Sequence, residues 1–333
     1  MILIHKPGML TTIQDKGRYG FQKQGIIVSG AMDQTAHRIA NLLVGNSEDC
    51  ATIEATIAGP KLEFEQDALI SLCGGEFNPS IDGHRVKQWC PVIVRKGSVL
   101  TFGQAKNGCR CYLAVAGGIQ VDVVMGSRST YLRAGIGGKD GRGLRAGDRL
   151  PIGTPASYLQ LYIDEIKNKS FISLPWSVTH AFRTKVQNNQ PVRVMISHEY
   201  HLFSKKSQQA FFNEPFTISS QSDRMGYRLN GPTLPLAEEQ SMLSEAVVFG
   251  TIQVPSNGEP IVLLADRQTT GGYPRIAQIA SVDLPIFAQL KPGATITFHE
   301  ITLEEAQRLY MDRERAIKHL TRAITLQYQS RIR

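Results

Sequence analysis

A polar turn separates two apolar runs in the last third of the sequence. Residues 265–275 read ADRQTTGGYPR, after PIVLLA and before IAQIA. The commonest hairpin turns need only about two residues, so this segment has more hydrogen-bonding side chains than a chain reversal requires. The guanidinium of Arg267 suits a carboxylate or phosphate because it can donate two parallel hydrogen bonds. We predict that this turn binds a small polar ligand.

A second segment shares the Asp-Arg dipeptide of the first. Residues 219–232 read SSQSDRMGYRLNGP and contain Asp223 and Arg224, followed by a glycine and a tyrosine. Two salt-bridged turns would produce the same pattern without any ligand. The density of polar groups in both segments favours a binding site.

The N-terminal segment TTIQDKGRYG also concentrates polar residues. Asp15 and Arg18 lie near Gly17 and Gly20, which allow the backbone to approach a ligand closely. An ion pair between Asp15 and Arg18 that ties the turn is the alternative.

The segment VSGAMD, residues 28–33, precedes an expected helix. Ser29 and Asp33 stand where the unpaired N–H groups of a helix N-terminus suit an anion or a carboxylate. Asp33 could equally serve as the helix cap, because its side chain can accept a hydrogen bond from the first turn.

The segment 124–144 is rich in glycine and in basic residues. Such a loop can wrap an anion with its N–H groups and its cations, or it can be a surface excursion or a docking loop. Its cations are Arg128, Arg133, Lys139 and Arg142.

Several common motifs are absent. The glycine-rich loop is not a P-loop, because Arg133 and Asp140 stand where that motif needs a glycine and a Ser or Thr. In SHEYH, His198 and His201 are three residues apart, whereas the zinc motif H-E-x-x-H spaces its histidines by four. The five cysteines form neither a zinc spacing nor an even-numbered framework. We predict no metal site.

Composition limits the class of protein. The chain has 333 residues, 42% hydrophobic and 20% charged, which indicates a globular protein of two domains. The net charge of +8 is spread along the chain without a basic run interleaved with aromatics, so we expect no nucleic acid partner. No run approaches the roughly 20 apolar residues of a membrane span, and the N-terminus lacks a signal-peptide core. We expect a cytoplasmic protein that binds no membrane.

Short β-rich runs with frequent Gly and Pro turns dominate both halves of the chain. This pattern is typical of sandwiches and barrels, so we predict a mostly β protein with a few helices. The predicted helices begin near Asp33, after Ser204 and after Thr302, which forms a capping box with Glu305.

These same segments resemble a known family. They are similar to the family whose members are called the C subunit of 5-oxoprolinase, allophanate hydrolase subunit 2 or Kip antagonist, and to the carboxyltransferase domain of urea carboxylase. The resemblance covers about residues 2 to 310. It rests on the segments TTIQDKGRYGFQKQGIIVSGAMDQTAHRIANLLVGN, ATIEATIAGPKLEF, LAVAGGI, MGSRST, SSQSDRMGYRLNGP and VPSNGEPIVLLADRQTTGGYPRIA.

The resemblance implies a fold of two cyclophilin-like β-barrel domains. We predict an N-terminal domain over residues 1–155, a C-terminal domain over residues 156–301 and a C-terminal helix over residues 302–333.

The resemblance also implies one component of a multi-subunit enzyme. With the B subunit of 5-oxoprolinase, which resembles the Kip inhibitor, and the A subunit, it would hydrolyse the cyclic amide 5-oxo-L-proline to L-glutamate with ATP, whose site is unknown. One alternative is biotin-dependent carboxyl transfer to urea or a similar amide, which needs biotin on another protein. A second alternative is a regulatory protein that antagonises a Kip-inhibitor-like inhibitor of a histidine kinase.

We predict that one cleft between the two domains holds the amide or lactam substrate. Arg267 or Arg18 would bind the substrate carboxylate, and Asp266 or Asp15 would orient water. The predicted catalytic residues are Asp15, Asp266, Arg267 and Gln268, and the predicted substrate-binding residues are Arg18, Ser29, Asp33, Arg224, Thr269, Thr270, Gly271, Gly272 and Tyr273.

Overall fold

The computed structural model describes residues 1–238 and 240–330, and the described chain divides into two compact units. The first unit comprises Met1–Arg18, Asp33–Thr184 and the residues from Ala316 onward, and the second comprises Tyr19–Met32 and Lys185–Arg315.

These units differ in extent from the predicted domains. The first continues past residue 155 because strand Phe171–Ser173 pairs with strand Pro91–Val94 of that unit. The segment Tyr19–Met32 belongs to the second unit, where Met32 lies in the hydrophobic core. Such long-range pairing cannot be read from local composition, on which the predicted boundaries rest. Residues 331–333 of the predicted C-terminal helix lie outside the described residues.

The described strands of the first unit form two six-stranded sheets. One has the order β11-β1-β4-β9-β6-β7 and the other β12-β8-β5-β10-β3-β2, in which the strands are β1 (Ile2–Lys6), β2 (Leu10–Gln14), β3 (Thr52–Thr56), β4 (Lys61–Phe64), β5 (Ala68–Glu76), β6 (Ser80–Ile81), β7 (His84–Arg85), β8 (Pro91–Val94), β9 (Val99–Thr101), β10 (Asn107–Val115), β11 (Arg149–Leu150) and β12 (Phe171–Ser173).

One core joins the two sheets of the first unit. Ile4 and Phe64 from the first sheet and Leu72 and Leu113 from the second lie in a single cluster of buried side chains. Burying each such side chain stabilises the fold by about 1.5–3 kcal/mol. The opposite face of the second sheet is packed against helix α1 (Gln34–Leu43).

Helix α1 begins where the sequence predicts. The Asp33 side chain accepts a hydrogen bond from the N–H of Ala36 at 2.9 Å, so the predicted cap is confirmed. The Ser71 hydroxyl of β5 donates to the carbonyl of Ala40 at 2.6 Å. The helix thus fixes the position of the segment that precedes it.

The second unit contains a closed barrel. The described strands follow the order β13-β20-β17-β18-β15-β14-β21, and the parallel pair of β13 and β21 closes the ring. A separate two-stranded sheet pairs β16 with β19. The strands are β13 (Gln190–Ile196), β14 (Phe216–Ile218), β15 (Gly226–Asn230), β16 (Glu245–Ala246), β17 (Thr251–Gln253), β18 (Ile261–Leu263), β19 (Thr270–Gly271), β20 (Arg275–Ile279) and β21 (Thr295–Glu300).

Helices complete both units. The remaining α-helices are α2 (Ser157–Ile163), α3 (Lys205–Asn213), α4 (Leu284–Gln289) and α5 (Leu303–Gln329), and short 3-10 helices span Gln22–Gln24, Asp164–Ile166, His180–Phe182 and His198–Leu202. The predicted caps of α3 and α5 are confirmed: the Ser204 hydroxyl accepts from Ser207 N at 3.1 Å, and the Thr302 hydroxyl accepts from Glu305 N at 3.1 Å. None of the helices in the described chain has the length and apolarity needed to cross a membrane.

The predicted mostly β fold with a few helices is confirmed, and of the two predicted barrels the second unit forms one. The barrel interior is aromatic, with Phe211 and Phe298 stacked at 4.6 Å between ring centroids. The first unit holds its strands as two facing sheets around one core.

Candidate functional site

Asp266 of the second unit forms a buried ion pair. It follows β18, and its Oδ2 accepts from Nε of Arg224 at 2.9 Å while its Oδ1 accepts from Nη2 at 3.0 Å. The side chains of Arg224 and Asp266 are only 6% and 7% exposed. A buried carboxylate needs such a partner because its desolvation is costly.

The same ion pair holds the turn that contains Ser29. The Ser29 hydroxyl donates to Oδ1 of Asp266 at 2.7 Å, and Nη2 of Arg224 donates to the carbonyl of Gly30 at 2.6 Å. Ser29 has φ of 58°, in the left-handed region that costs a non-glycine residue about 1–2 kcal/mol. The structure thus brings together three residues that the sequence places far apart.

Arg267 has a different environment from that of its neighbour. Its Nε and Nη1 donate long hydrogen bonds to the carbonyls of Val247 (3.4 Å) and Leu264 (3.3 Å), and its guanidinium lies 6.0 Å from the ring centroid of Phe249. Burial lowers the pKa of Arg267. Within the described ranges 1–238 and 240–330, Arg267 forms no ion pair with a carboxylate.

The turn that follows Arg267 is held by the small sheet. The N–H of Val247 donates to the carbonyl of Thr269 at 3.1 Å, and Thr270 and Gly271 pair with β16. A Cβ at Gly271 would lie 2.5 Å from Nε2 of the buried Gln253, so a larger residue here would have to displace that amide. Gln268, Thr269 and Gly272 are half-buried, whereas Thr270 and Tyr273 are exposed.

Arg275, at the start of β20, links two carboxylates. Its N–H donates to Oε2 of Glu199 at 2.6 Å, and its Nη2 donates to Oε1 of Glu199 and to Oε2 of Glu245 on β16. Burial opposes ionisation of Glu199, but the Arg275 guanidinium outweighs it and lowers the pKa of this carboxyl. A cavity of about 240 Å³ beside Arg275 is lined by Ser197, His198, Ala246, Val248, Thr251, Arg275, Ala277 and Gln278.

Glu199 is a residue whose role the sequence did not reveal. It lies within SHEYH, where the histidine spacing drew attention to metal binding instead. Ser197 caps the 3-10 helix that contains it, since its hydroxyl accepts from the N–H of Glu199 at 3.2 Å. The signal was an acidic residue in the first turn of a short helix that follows a strand, which is too common to be diagnostic.

Asp15 of the first unit is held without an arginine side chain. Its Oδ1 accepts from the hydroxyls of Ser127 (2.7 Å) and Ser129 (2.5 Å) and from the N–H of Gly17 (2.8 Å), and its Oδ2 accepts from the N–H of Arg128 (2.5 Å). Asp15 is 7% exposed. It therefore anchors the segment 127–129 through hydroxyl and amide donors.

Arg18 is fully buried and also holds this loop. Its Nε donates to the carbonyl of Val124 at 2.9 Å, and its Nη2 donates to the carbonyl of Ser129 at 2.9 Å. Ser127 and Ser129 were not among the predicted site residues, although they lie in the loop whose cations drew attention.

Other buried polar groups of the first unit lie on its second sheet and on helix α1. The Tyr112 hydroxyl donates to Oε2 of Glu54 at 2.8 Å and accepts from the N–H of Asp33 at 2.7 Å, while burial raises the pKa of Tyr112. Burial lowers the pKa of His37 to about 4, although the negative charge of Asp15 acts to raise it. The sequence signal was a charged residue between apolar neighbours in a strand, such as Glu54 between Ile53 and Ala55.

Two of the four cations of the glycine-rich loop, Lys139 and Arg142, form ion pairs with nearby carboxylates. Arg142 donates to both oxygens of Asp148 at 2.8 and 2.9 Å, which raises the pKa of Arg142 and lowers that of Asp148. Lys139 lies 3.3 Å from Asp140. Arg128 instead donates to two neutral acceptors, the carbonyl of Val121 (3.0 Å) and Oε1 of Gln120 (3.3 Å).

The predicted site residues thus fall into two sets. Asp15, Arg18 and Asp33 belong to the first unit, and Ser29, Arg224 and residues 266–273 belong to the second. That both sets line a single cleft stays a prediction.

Comparison with known proteins identifies relatives over nearly the whole chain. The C subunit of 5-oxoprolinase from Escherichia coli strain K12 is 42% identical over 320 residues, which cover 96% of this chain and 97% of that protein. The protein of the same name from Haemophilus influenzae is 39% identical over 312 residues, which cover 92% and 95%. The predicted resemblance is therefore confirmed.

A solved structure has the same fold. The urea carboxylase of Kluyveromyces lactis superposes with a TM-score of 0.86 at 29% sequence identity, covering 96% of this chain and 29% of that one. The chain thus spans less than a third of that protein. The family described as carboxyltransferase domain, subdomain A and B, matches residues 24–300. Since this match includes most of both units, the chain belongs to the carboxyltransferase domain family, subdomains A and B.

Proposed function

We propose that this chain is one component of an ATP-dependent 5-oxoprolinase that cleaves 5-oxo-L-proline to L-glutamate together with the A and B subunits of that enzyme. The observation that carries this proposal is the 42% identity to the C subunit of the E. coli 5-oxoprolinase. Because that alignment covers nearly all of both chains, the likeness extends well beyond a shared module. ATP hydrolysis in the complex would drive the opening of a resonance-stabilised amide.

The glycine-rich loop is a poor fit for a nucleoside triphosphate, because two of its four cations are held by carboxylates. A phosphate cradle needs free N–H groups and uncompensated cations, whereas Arg142 is engaged by Asp148 and Lys139 by Asp140. The sequence also lacks a P-loop. We therefore place the ATP site on another protein of the complex and assign no phosphoryl-transfer step to this chain.

Arg267 is the residue to which we assign the substrate carboxylate. Two of its donors face backbone carbonyls, Phe249 supports its guanidinium, and it lacks a carboxylate partner in the part of the chain that the structure describes. A half-buried cation of this kind gains from binding an anion, because the site itself leaves its charge uncompensated. Arg18 is less suited, since it is fully buried and donates to the carbonyls of Val124 and Ser129.

The polar residues after Arg267 are assigned to the amide end of the substrate. Gln268, Thr269, Thr270 and Tyr273 follow it on one turn, and Tyr273 is 50% exposed. Orientation of water by Asp266 or Asp15 stays a prediction. Each carboxylate already accepts at least three hydrogen bonds, so a water bound to it would be an additional ligand.

Reconstitution tests the proposed function. The purified chain, mixed with the A and B subunits from the same organism, is expected to form glutamate from 5-oxoproline in the presence of ATP. Mixtures that lack one protein or ATP are the controls. Absence of glutamate from the complete mixture, with all three proteins folded, would overturn the proposal.

Biotin-dependent carboxyl transfer to urea is a second candidate function. The observation in its favour is the TM-score of 0.86 with the K. lactis urea carboxylase. It requires a biotin carboxylase and a biotin carrier, which the chain would meet as separate proteins. ATP-dependent carboxylation of urea in a mixture with these proteins, together with no glutamate in the first assay, would favour this alternative.

A further inference from the structure

The second half of α5 carries charges of one sign. From Arg315 to the end of the sequence every acidic or basic side chain is a cation or a histidine, whereas the first half of the helix also contains Glu304, Glu305, Asp312 and Glu314. Because the mixed-charge half and the basic half belong to one continuous helix, the average composition of the protein surface does not explain the difference between them.

These basic residues share one face of the helix. With 3.6 residues per turn, positions 318, 319, 322 and 326 lie on one side, and positions 317, 324 and 328 lie on the other. Lys318, His319, Arg322 and Leu326 are exposed, the last to 66%, and we call them the basic face. The opposite side is buried, with Ile317, Ile324 and Tyr328 at 5% exposure or less.

The buried side fixes the helix firmly to the first unit. The Tyr328 hydroxyl donates to the carbonyl of Leu43 at the end of α1 (2.6 Å), and the Tyr162 hydroxyl donates to the carbonyl of Tyr328 (2.9 Å). The rings of Tyr158, Tyr162 and Trp176 lie 5.1–6.0 Å from that of Tyr328. The basic face is therefore presented on a rigid support, which lowers the entropic cost of binding a partner.

The basic residues are not explained by contacts within the chain. Lys318 and Arg322 form no ion pair with any carboxylate of residues 1–238 and 240–330. Cations stabilise a helix through its dipole only within the last turn, and Arg322 precedes the helix end at Gln329 by about two turns.

We propose that the basic face docks an acidic surface of a partner protein, which, if the proposed function is correct, is the A or the B subunit of the complex. Charge complementarity of this kind raises the association rate and selects the partner. The exposed Leu326 beside the cations is typical of a protein interface, which combines an apolar contact with a polar rim.

Two other classes of partner fit less well. Nucleic acid binding proteins neutralise about 6–10 phosphates, whereas this face offers two cations and a histidine. A helix that lies on a membrane exposes an apolar face to the lipid, whereas Ile317, Ile324 and Tyr328, on the apolar side of the second half of α5, are buried.

Charge reversal on the basic face tests the proposal. The variant Lys318→Glu/Arg322→Glu is compared with Lys205→Glu/Lys206→Glu, which reverses two exposed lysines at the start of α3. Affinity for the A and B subunits is measured by titration calorimetry at low and high salt. We expect the Kd of the Lys318→Glu/Arg322→Glu variant to rise about tenfold or more. The Kd of the control variant should change less than about threefold. The affinity of the wild-type chain should fall as the salt concentration rises.

The outcomes separate this inference from the proposed function. If the wild-type complex forms glutamate and the reversal variant binds as tightly as wild type, the docking proposal is overturned and the function stands. If no glutamate forms but the chain still binds one of the two proteins, the function falls and the variant still decides the docking proposal. Failure to bind either protein, or tighter binding to a 12-nucleotide RNA or to phosphatidylserine vesicles at physiological salt, overturns the docking proposal.

Discussion

Asp15 and Asp266 are both buried carboxylates that hold a loop, but they are stabilised by different donors. Asp266 is paired with the permanently charged Arg224, which also donates to the carbonyl of Gly30. Asp15 accepts hydrogen bonds from Ser127, Ser129 and two backbone amides. Removing one partner of a buried ion pair leaves the other charge uncompensated and strongly destabilises the protein. Removing one neutral donor costs only the stability that its hydrogen bond contributes. We therefore expect the two sites to respond differently to substitution.

The largest effect is expected for Arg224→Met. Removal of the guanidinium leaves Asp266 buried without its cation, which destabilises a protein by about 3–5 kcal/mol. Urea unfolding followed by circular dichroism measures the change. Arg149→Met, which removes an exposed partner of Glu65, is the control and should cost less than about 1 kcal/mol.

A double variant sharpens this result. Arg224→Met/Asp266→Leu removes both charges and should be more stable than Arg224→Met alone, since no uncompensated carboxylate remains. A loss below about 1 kcal/mol for the single variant would show that the ion pair does not hold this turn.

Arg267→Gln separates function from stability at the position next to Asp266. The variant loses a charge-assisted hydrogen bond to the substrate carboxylate, which is worth about 1.5–3 kcal/mol. This should lower kcat/KM of the reconstituted complex about tenfold to a hundredfold. Most of the change should be an increase in KM. The free energy of unfolding should change by less than about 1 kcal/mol, because the bonds to Val247 and Leu264 are long. Unchanged kinetics would refute the assignment, and Arg267→Lys should recover part of the activity by retaining the charge.

A smaller effect on stability is expected for Asp15→Asn. The amide keeps one acceptor oxygen but places an N–H₂ group near a donor such as the N–H of Arg128, so the loss should be about 2 kcal/mol. The loop should also become more sensitive to trypsin at Arg128. Asp122→Asn, an exposed residue of the same region, is the matched control, and equal proteolysis of the two variants would contradict the anchoring role of Asp15.

The pH dependence of stability, about 1.4 kcal/mol per pH unit, concerns His37. Its pKa is lowered to about 4 in the folded protein by burial, against about 6.5 when unfolded. Between these values the unfolded state binds the additional proton, so stability should fall as pH decreases from about 6.5 to about 4 and stay constant above about 7.

Urea unfolding at several pH values measures this dependence. His37→Gln can still form a hydrogen bond to Thr52 and should show a flatter profile below about pH 6.5. An identical slope in wild type and variant would assign the pH dependence to other groups.

Local sequence signals predicted where individual helices begin, but not how the segments of the chain assemble into two units. The caps at Asp33, Ser204 and Thr302 follow from short-range chemistry, because a side chain bonds to an N–H only two or three residues away. The assignment of Tyr19–Met32 to the second unit depends on contacts with residues more than 200 positions later, such as that between Ser29 and Asp266, which are 237 positions apart. No local pattern contains that information.

For the candidate site too, the sequence indicated which residues were of interest but not what surrounds them in the fold. Residue types and turn composition were sufficient to single out Asp15, Arg224, Asp266 and Arg267. They could not distinguish the arginine committed to a buried carboxylate from the one without a carboxylate partner in the described chain, because this depends on burial and on distances between remote segments.

The sequence by itself determined the class of protein: a β-rich chain with capped helices and segments specific enough to indicate its family. Only the tertiary structure decided that Asp266 and Asp15 accept hydrogen bonds from different kinds of donor. It also decided that Arg267 contacts backbone carbonyls and the ring of Phe249, and that the second half of α5 exposes cations while its other side is packed against the first unit. The physical reason is that helix caps and strand patterns depend on neighbours in sequence, whereas the energy of a buried charge depends on whatever the fold places within a few ångströms of it.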